Sequence, residues 1–184
     1  MKGKIDICIA GYGNFGKKLH GYLAKMDSCE VKCLYHPDGA KAESYGPLGL
    51  SHLGRIMTDE AVDAFIIATP NDQHFDLLQQ ILQIGRHHIF VEKPMTADYA
   101  EASELASLVS ACSNKVFMVG HCQRREATFR MAKELLRRGA VGTLVNATFN
   151  FSHGAAYSLN KDNWRYHSDR HREGPLITLG SHSL

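Results

Sequence analysis

Three glycines near the N-terminus have the spacing of a phosphate-binding turn. Gly11, Gly13 and Gly16 form a G-x-G-x-x-G pattern directly after the apolar run 5–10. In such a turn the first glycine permits the bend, the second lets backbone approach a pyrophosphate, and the third lets the next helix pack closely. The helix N-terminus adds unpaired N–H groups for the phosphates. The residues of this predicted dinucleotide site are Gly11, Tyr12, Gly13, Asn14, Phe15 and Gly16.

The end of the second predicted strand, 30–35, determines how the ribose of such a ligand is held. An Asp or Glu normally stands there, about twenty residues beyond the glycines, and binds the ribose hydroxyls. This chain has His36, with Asp38 and Lys41 close behind. Because His36 would not repel a 2′-phosphate, the residues permit either NAD or NADP. The alternative, which we weigh equally, is that His36 and Lys41 are ordinary loop residues without a role in binding.

Polar residues also follow three later predicted strands, 64–68, 88–91 and 116–120. In an open parallel sheet the carboxyl ends of the strands border the ligand crevice, so these residues are candidates for the same site. Strand by strand, they are Thr69, Pro70, Asn71 and His74; Glu92, Lys93 and Pro94; and Gly120 and His121.

The strands that must position these residues alternate with predicted helices at 14–26, 72–84 and 98–112. Their apolar residues recur at helical spacing, whereas the strands are short continuous apolar runs. This succession predicts the α/β class, with a doubly wound parallel sheet of the Rossmann type. The first helix is expected to bury Phe15, Leu19, Tyr22, Leu23 and Met26.

A different pattern begins after Gly120. A helix is predicted over 125–138, and residues 143–152 then alternate between apolar and polar, which is typical of a half-buried antiparallel strand. We therefore predict a dinucleotide-binding domain over 1–120 and the start of an α+β domain over 121–184. With few residues left to pair with it, the apolar row of this strand is expected to be exposed.

Composition excludes several classes of protein. The 184 residues carry a formal net charge of +2, which gives no reason to expect a nucleic acid or membrane partner. No apolar run approaches the roughly twenty residues of a membrane span. Five cysteines without a C-x-x-C pair indicate reduced thiols and a cytoplasmic location. His167 and His171 lack further ligands in a metal-binding pattern, so no metal is expected.

Together, G-x-G-x-x-G, T-P-N-x-x-H and E-K-P resemble the glucose–fructose oxidoreductase/inositol dehydrogenase (Gfo/Idh/MocA) family of nicotinamide-dependent sugar dehydrogenases. The later motifs that agree are Gly120-His121 with Arg124-Arg125, Asn163-Trp164-Arg165, and Glu173-Gly174-Pro175-Leu176 before Gly180-Ser181-His182. The resemblance implies hydride transfer between NAD or NADP and a hydroxyl or carbonyl of a sugar-like molecule. It also implies a homo-oligomer for the full-length form.

The resemblance assigns roles to individual residues. Lys93, in a Lys-Pro bond that tends to be cis in the family, would lie beside the reacting carbon. His182 would act as an acid or base next to it, although Thr178 stands where the family often has an aspartate. The cofactor candidates beyond the glycine turn are His36, Thr69, Pro70, Asn71, His74, Glu92 and Lys93. The substrate-binding candidates are Arg124, Trp164 and Arg165.

A lysine suits the proposed chemistry because oxidation of an alcohol removes a hydride from carbon and a proton from oxygen. A partly desolvated lysine near a positively charged nicotinamide has a lowered pKa and can take part in proton transfer. An ion pair between Lys93 and Glu92 at a strand end is the structural alternative.

The length departs from the family, whose members usually continue well beyond residue 184. The sequence therefore predicts a truncated product, a fragment or a degenerate copy. A non-catalytic dinucleotide-binding protein is the alternative function. A methyltransferase is a third and weaker alternative, because the E-K-P and T-P-N-x-x-H motifs argue against it.

Overall fold

A computed structural model describes residues 3–112, 114–150, 154 and 180. The chain divides into two units, 1–119 and 120–184. The strands of the first unit are β1 (Ile5–Ala10), β2 (Cys29–Tyr35), β3 (Gly49–Leu50), β4 (Ala64–Ile67), β5 (His88–Val91) and β6 (Phe117–Val119). Its α-helices are α1 (Asn14–Leu23), α2 (Gly39–Glu43), α3 (Leu53–Thr58), α4 (His74–Ile84) and α5 (Tyr99–Ala111).

All six strands are parallel and lie in the order β3-β2-β1-β4-β5-β6. The strand order therefore reverses direction between β1 and β4, which is where a doubly wound sheet opens its ligand crevice. The predicted α/β class and parallel Rossmann sheet are confirmed.

The strands are apolar on both faces because both faces of the sheet are covered. In β1, Ile7 and Ile9 belong to one buried cluster, whereas Cys8 and Ala10 belong to the other. The first cluster includes Leu19 and Leu23 of α1. The second draws on α3, α4 and α5, so a β-α-β succession places helices on either side of the sheet.

Helix α1 buries a narrower face than the sequence predicts. Gly16 is buried, and Leu19 and Leu23 pack against the core. Phe15, Tyr22 and Met26 are exposed to 46%, 55% and 50%, so that part of the prediction is wrong. Helix α1 comes closest to the sheet at Gly16. Leu19 and Leu23, three and seven residues later, lie on the same face of the helix and are therefore the ones that pack.

The segment between β2 and β4 contains structure that hydrophobic periodicity does not predict. Helix α2 has five residues, β3 has two and α3 has six. Elements this short span too few residues for a helical or alternating pattern to emerge.

The second unit contains a 3₁₀ turn (Cys122–Arg125) and helix α6 (Ala127–Arg137), close to the predicted helix. Residues 143–150 form no strand, so the strand prediction is wrong for this part of 143–152. Val145 is 92% exposed and Phe149 is 62% exposed, as the prediction of an uncovered apolar row requires. Alternation alone does not make a strand, because its backbone needs a neighbouring strand to bond.

Candidate functional site

The glycine turn lies between the carboxyl ends of β1 and β4. Gly11 has φ +91°, and a Cβ there would come within 2.6 Å of the Ala68 carbonyl carbon and the Thr69 nitrogen. A Cβ on Gly16 would collide with the carbonyl oxygen of Gly11. The first glycine therefore makes the bend and the third brings α1 against it, as the motif predicts.

Gly13 differs from these two because a Cβ there would meet no atom within 4 Å. Its backbone is extended, with φ −75°, so the position does not require glycine for its conformation. No side chain caps the start of α1, and its first turn contains no acidic residue. Open space in front of uncapped N–H groups fits the pyrophosphate of a dinucleotide.

Two buried polar atoms follow β4 without a hydrogen-bond partner among the described residues. They are the Thr69 hydroxyl oxygen and the Asn71 amide nitrogen. A buried polar group without a partner costs about 1–3 kcal/mol, so native proteins usually satisfy it. A ligand with oxygen acceptors and hydroxyl donors, such as the ribose-nicotinamide half of a dinucleotide, fits these two atoms.

His74 links the loop after β4 to the loop after β5. Its ring is fully buried, with Nδ1 2.8 Å from the Pro94 carbonyl oxygen and Nε2 3.1 Å from the Thr69 carbonyl oxygen. Both ring nitrogens therefore contact backbone. His74 acts on the site by holding the two loops at a fixed separation.

Glu92, Lys93 and Pro94 follow β5 at the same edge of the sheet. The Glu92 N–H donates to the Ile67 carbonyl oxygen at 2.9 Å, and the Lys93–Pro94 bond is cis, as expected. Burial raises the pKa of Glu92, although the backbone N–H and the charge of Lys93 oppose that shift. A partly desolvated carboxyl group gains from added donors, which a ribose or carboxamide would supply.

The end of β2 completes this edge. Gly11 N–H donates to the Tyr35 carbonyl oxygen at 3.3 Å, so His36 directly follows a residue bonded to the glycine turn. Tyr45, which sequence reasoning missed, lies between Tyr12 and His36, with ring centroids 5.2 Å and 6.2 Å away. No sequence motif points to Tyr45, because it joins the site only through tertiary packing.

The remaining predicted residues belong to the second unit or lie outside the described residues. Arg124 is exposed in the 3₁₀ turn of the second unit. Six other residues that the sequence analysis singled out lie outside the described residues: His182, Trp164, Arg165, Thr178, His167 and His171. Within the described part of the chain, no group of three His, Cys, Asp or Glu residues could hold a metal ion. None of the described helices is both long and apolar enough to cross a membrane.

The sheet order and the open glycine turn define a Rossmann-type dinucleotide-binding protein. Comparison with known families is more specific. Residues 5–121 match the GFO/IDH/MocA oxidoreductases, a family with an NAD-binding Rossmann fold, and residues 129–184 match a GFO/IDH/MocA C-terminal domain. The chain belongs to the GFO/IDH/MocA oxidoreductase family, which confirms the resemblance found in its motifs.

Individual relatives agree with this assignment. An oxidoreductase of Streptococcus pneumoniae is 35% identical over 74% of this chain and 37% of its own length. The scyllo-inositol 2-dehydrogenase (NADP(+)) IolW of Bacillus subtilis is 26% identical over 98% of this chain. This chain covers 50% of IolW, so it spans half or less of these two relatives.

Solved structures show the same fold. A proposed NADPH-dependent oxidoreductase of Desulfitobacterium hafniense aligns with a TM-score of 0.81 at 25% identity. The alignment covers all of this chain and 54% of that one. The scyllo-inositol dehydrogenase of Lactobacillus casei, solved with NAD(H) and scyllo-inositol, aligns over 76% of this chain and 42% of its own, with a TM-score of 0.65 at 24% identity.

Proposed function

We propose that this chain carries the cofactor half of an NAD- or NADP-dependent oxidoreductase that acts on a hydroxyl or carbonyl of a sugar-like molecule. The observation that carries the proposal is the open space at Gly13 beside the uncapped start of α1. The unpartnered Thr69 hydroxyl and Asn71 amide provide further ligand contacts along the same edge of the sheet. The scyllo-inositol 2-dehydrogenase IolW, one of the relatives, supports the substrate class.

The residues of the site have separate roles in this proposal. The backbone of 11–16 binds the pyrophosphate, and the atoms after β4 and β5 orient the nicotinamide half. The bound nicotinamide supplies the hydride chemistry. Lys93 exchanges a proton with the substrate oxygen, and by resemblance His182 assists it. Arg124, Trp164 and Arg165 are proposed substrate contacts, and His74 positions the two loops.

The wider assignments are also proposals. We propose a domain boundary at residue 120, homo-oligomerisation of the full-length family form, and a cytoplasmic location. The location rests on the five free cysteines of the described structure, Cys8, Cys29, Cys33, Cys112 and Cys122.

A non-catalytic dinucleotide-binding protein is the second candidate. It is kept because the described features that carry the proposal, the open glycine turn and the unpartnered atoms after β4, account for cofactor binding alone. Both candidates bind a dinucleotide, and only the first transfers a hydride.

Replacement of Lys93 separates the two candidates. In an assay that follows NADH and NADPH absorbance with a panel of inositols and sugars, we expect Lys93→Met to lower turnover about 10²–10⁴-fold, the usual contribution of a general acid or base. Affinity for the reduced cofactor should change little. Lys115→Met is the control, since Lys115 lies at the opposite end of β6 from this edge.

Two results would count against the enzyme. Cofactor binding without turnover on any substrate of the panel favours the non-catalytic candidate. Turnover that survives Lys93→Met at more than about half the original rate removes the proton-transfer role from Lys93.

A further inference from the structure

His36 is held beside the glycine turn by the backbone on both sides of it. Residue 35 pairs with Ala10 in the sheet, and the N–H of His36 donates to the Leu50 carbonyl oxygen at 3.1 Å. His36 therefore occupies the end of β2, where a Rossmann fold normally carries the carboxylate that binds the adenosine ribose.

The hydrogen bonding of His36 fixes which ring nitrogen donates. Its Nδ1 lies 3.0 Å from the backbone N–H of Asp38, which can only donate. Nδ1 is therefore the acceptor, and the hydrogen of the neutral ring is on Nε2. The side chain at this position thus offers an N–H donor where a carboxylate would offer two acceptors.

Asp38 does not replace the missing carboxylate, because it caps α2. Its Oδ1 accepts from the Lys41 N–H at 3.1 Å, and that bond holds the pKa of Asp38 below its usual value. The carboxylate is thus engaged by the helix that follows. Lys41 adds a positive charge to the same short segment.

The side chains from the glycine turn to His36 form a continuous wall of rings, Tyr12, Tyr45 and His36, which we call the ring wall. Lys17 lies at its far end, with Nζ 5.9 Å from the centroid of the Tyr12 ring. The three rings themselves carry no negative charge. Burial and then the charge of Asp38 raise the pKa of Tyr45, so Asp38 lies close to the wall, but its Oδ1 is held by the Lys41 N–H.

We propose that this chain prefers NADP(H) to NAD(H), and that His36 sets the preference by donating a hydrogen bond from Nε2 to the 2′-phosphate. The inference rests on the proposed dinucleotide site. NAD presents hydroxyl donors to the end of β2 and is best held by a carboxylate. A 2′-phosphate presents only acceptor oxygens and negative charge, which suit the His36 N–H and the positive charge of Lys41 in the same segment.

The test compares the affinities of NADPH and NADH by fluorescence titration of the intact chain. For the original protein we expect NADPH to bind at least about tenfold more tightly. His36→Asp places a carboxylate at the end of β2, so it should weaken NADPH binding and strengthen NADH binding until the preference reverses. Ser107→Asp is the matched control, because it adds one carboxylate on the exposed surface of α5, at the other end of the strand order.

A second variant covers the case in which His36→Asp does not fold. His36→Leu removes the donor without adding charge, so it should reduce the preference for NADPH without reversing it. Equal or tighter binding of NADH by the original protein would overturn the inference, as would an unchanged ratio in the His36 variants. Failure to bind either cofactor would instead refute the proposed dinucleotide site.

Discussion

Replacing His74 with phenylalanine tests the link between the two loops of the site. Phenylalanine keeps an aromatic ring, somewhat larger than imidazole, but removes both nitrogens. His74 is fully buried, and its nitrogens lie 2.8 Å and 3.1 Å from the carbonyl oxygens of Pro94 and Thr69. The change therefore removes both polar contacts, and it also adds a small volume to a buried site.

The expected loss in the free energy of unfolding follows from the number of carbonyl groups left without a donor. A buried acceptor that loses its partner costs about 1–3 kcal/mol. A neutral ring donates to one of the two carbonyls and a doubly protonated ring to both. We therefore expect His74→Phe to lower the free energy of unfolding by about 1–3 kcal/mol if one bond is lost and up to about 6 kcal/mol for two.

Urea unfolding followed by circular dichroism measures this loss, and His20→Phe provides the control. His20 is only half-buried and its Nδ1 contacts a side chain, the Tyr12 hydroxyl at 2.8 Å, which can turn to water. His74→Gln, which retains an amide donor, should recover part of the stability. If His74→Phe is no less stable than His20→Phe, the ring does not hold the two loops together.

Two further predictions concern stability and exposure. Burial lowers the pKa of His87 although both ring nitrogens contact carbonyl oxygens, so below about pH 6.5 the unfolded chain binds a proton more readily than the folded one. The free energy of unfolding should therefore fall between pH 7 and pH 5, and a His87→Phe variant with the same slope would contradict this. Chymotrypsin should first cleave after Leu144 or Phe149, because these residues are 59% and 62% exposed and lie outside any helix or strand. First cleavage within β1–β5 would contradict this exposure.

The sequence predicts the sheet well because its signals are local. A continuous apolar run followed by a glycine pattern identifies β1 and the start of α1, and apolar runs of four or five residues identify β4 and β5. Their observed order in the sheet, β3-β2-β1-β4-β5-β6, is the usual one for the Rossmann fold that the glycine pattern indicates. Only β3, with two residues, is too short to carry a pattern.

Features that depend on tertiary contacts are less predictable. Phe15 and Tyr22 have helical spacing but lie to the side of the face that Gly16 brings against the sheet. Residues 143–150 alternate like a strand but are not bonded as one. The sequence does not reveal that His74 joins two carbonyl oxygens, because Thr69 and Pro94 come together only in the fold.

The affinity of Gly13→Val for the reduced cofactors tests the central claim most directly. Residue 13 has extended backbone and open space around its missing Cβ, so valine fits the folded chain but fills the space assigned to the pyrophosphate. Gly21→Val is the control, since a Cβ there also meets no atom within 4 Å but lies further along α1. We predict that Gly13→Val unfolds at a similar urea concentration to the Gly21→Val control but loses binding of both NADPH and NADH. A folded Gly13→Val protein that binds either cofactor as tightly as the original would contradict a dinucleotide site at this turn.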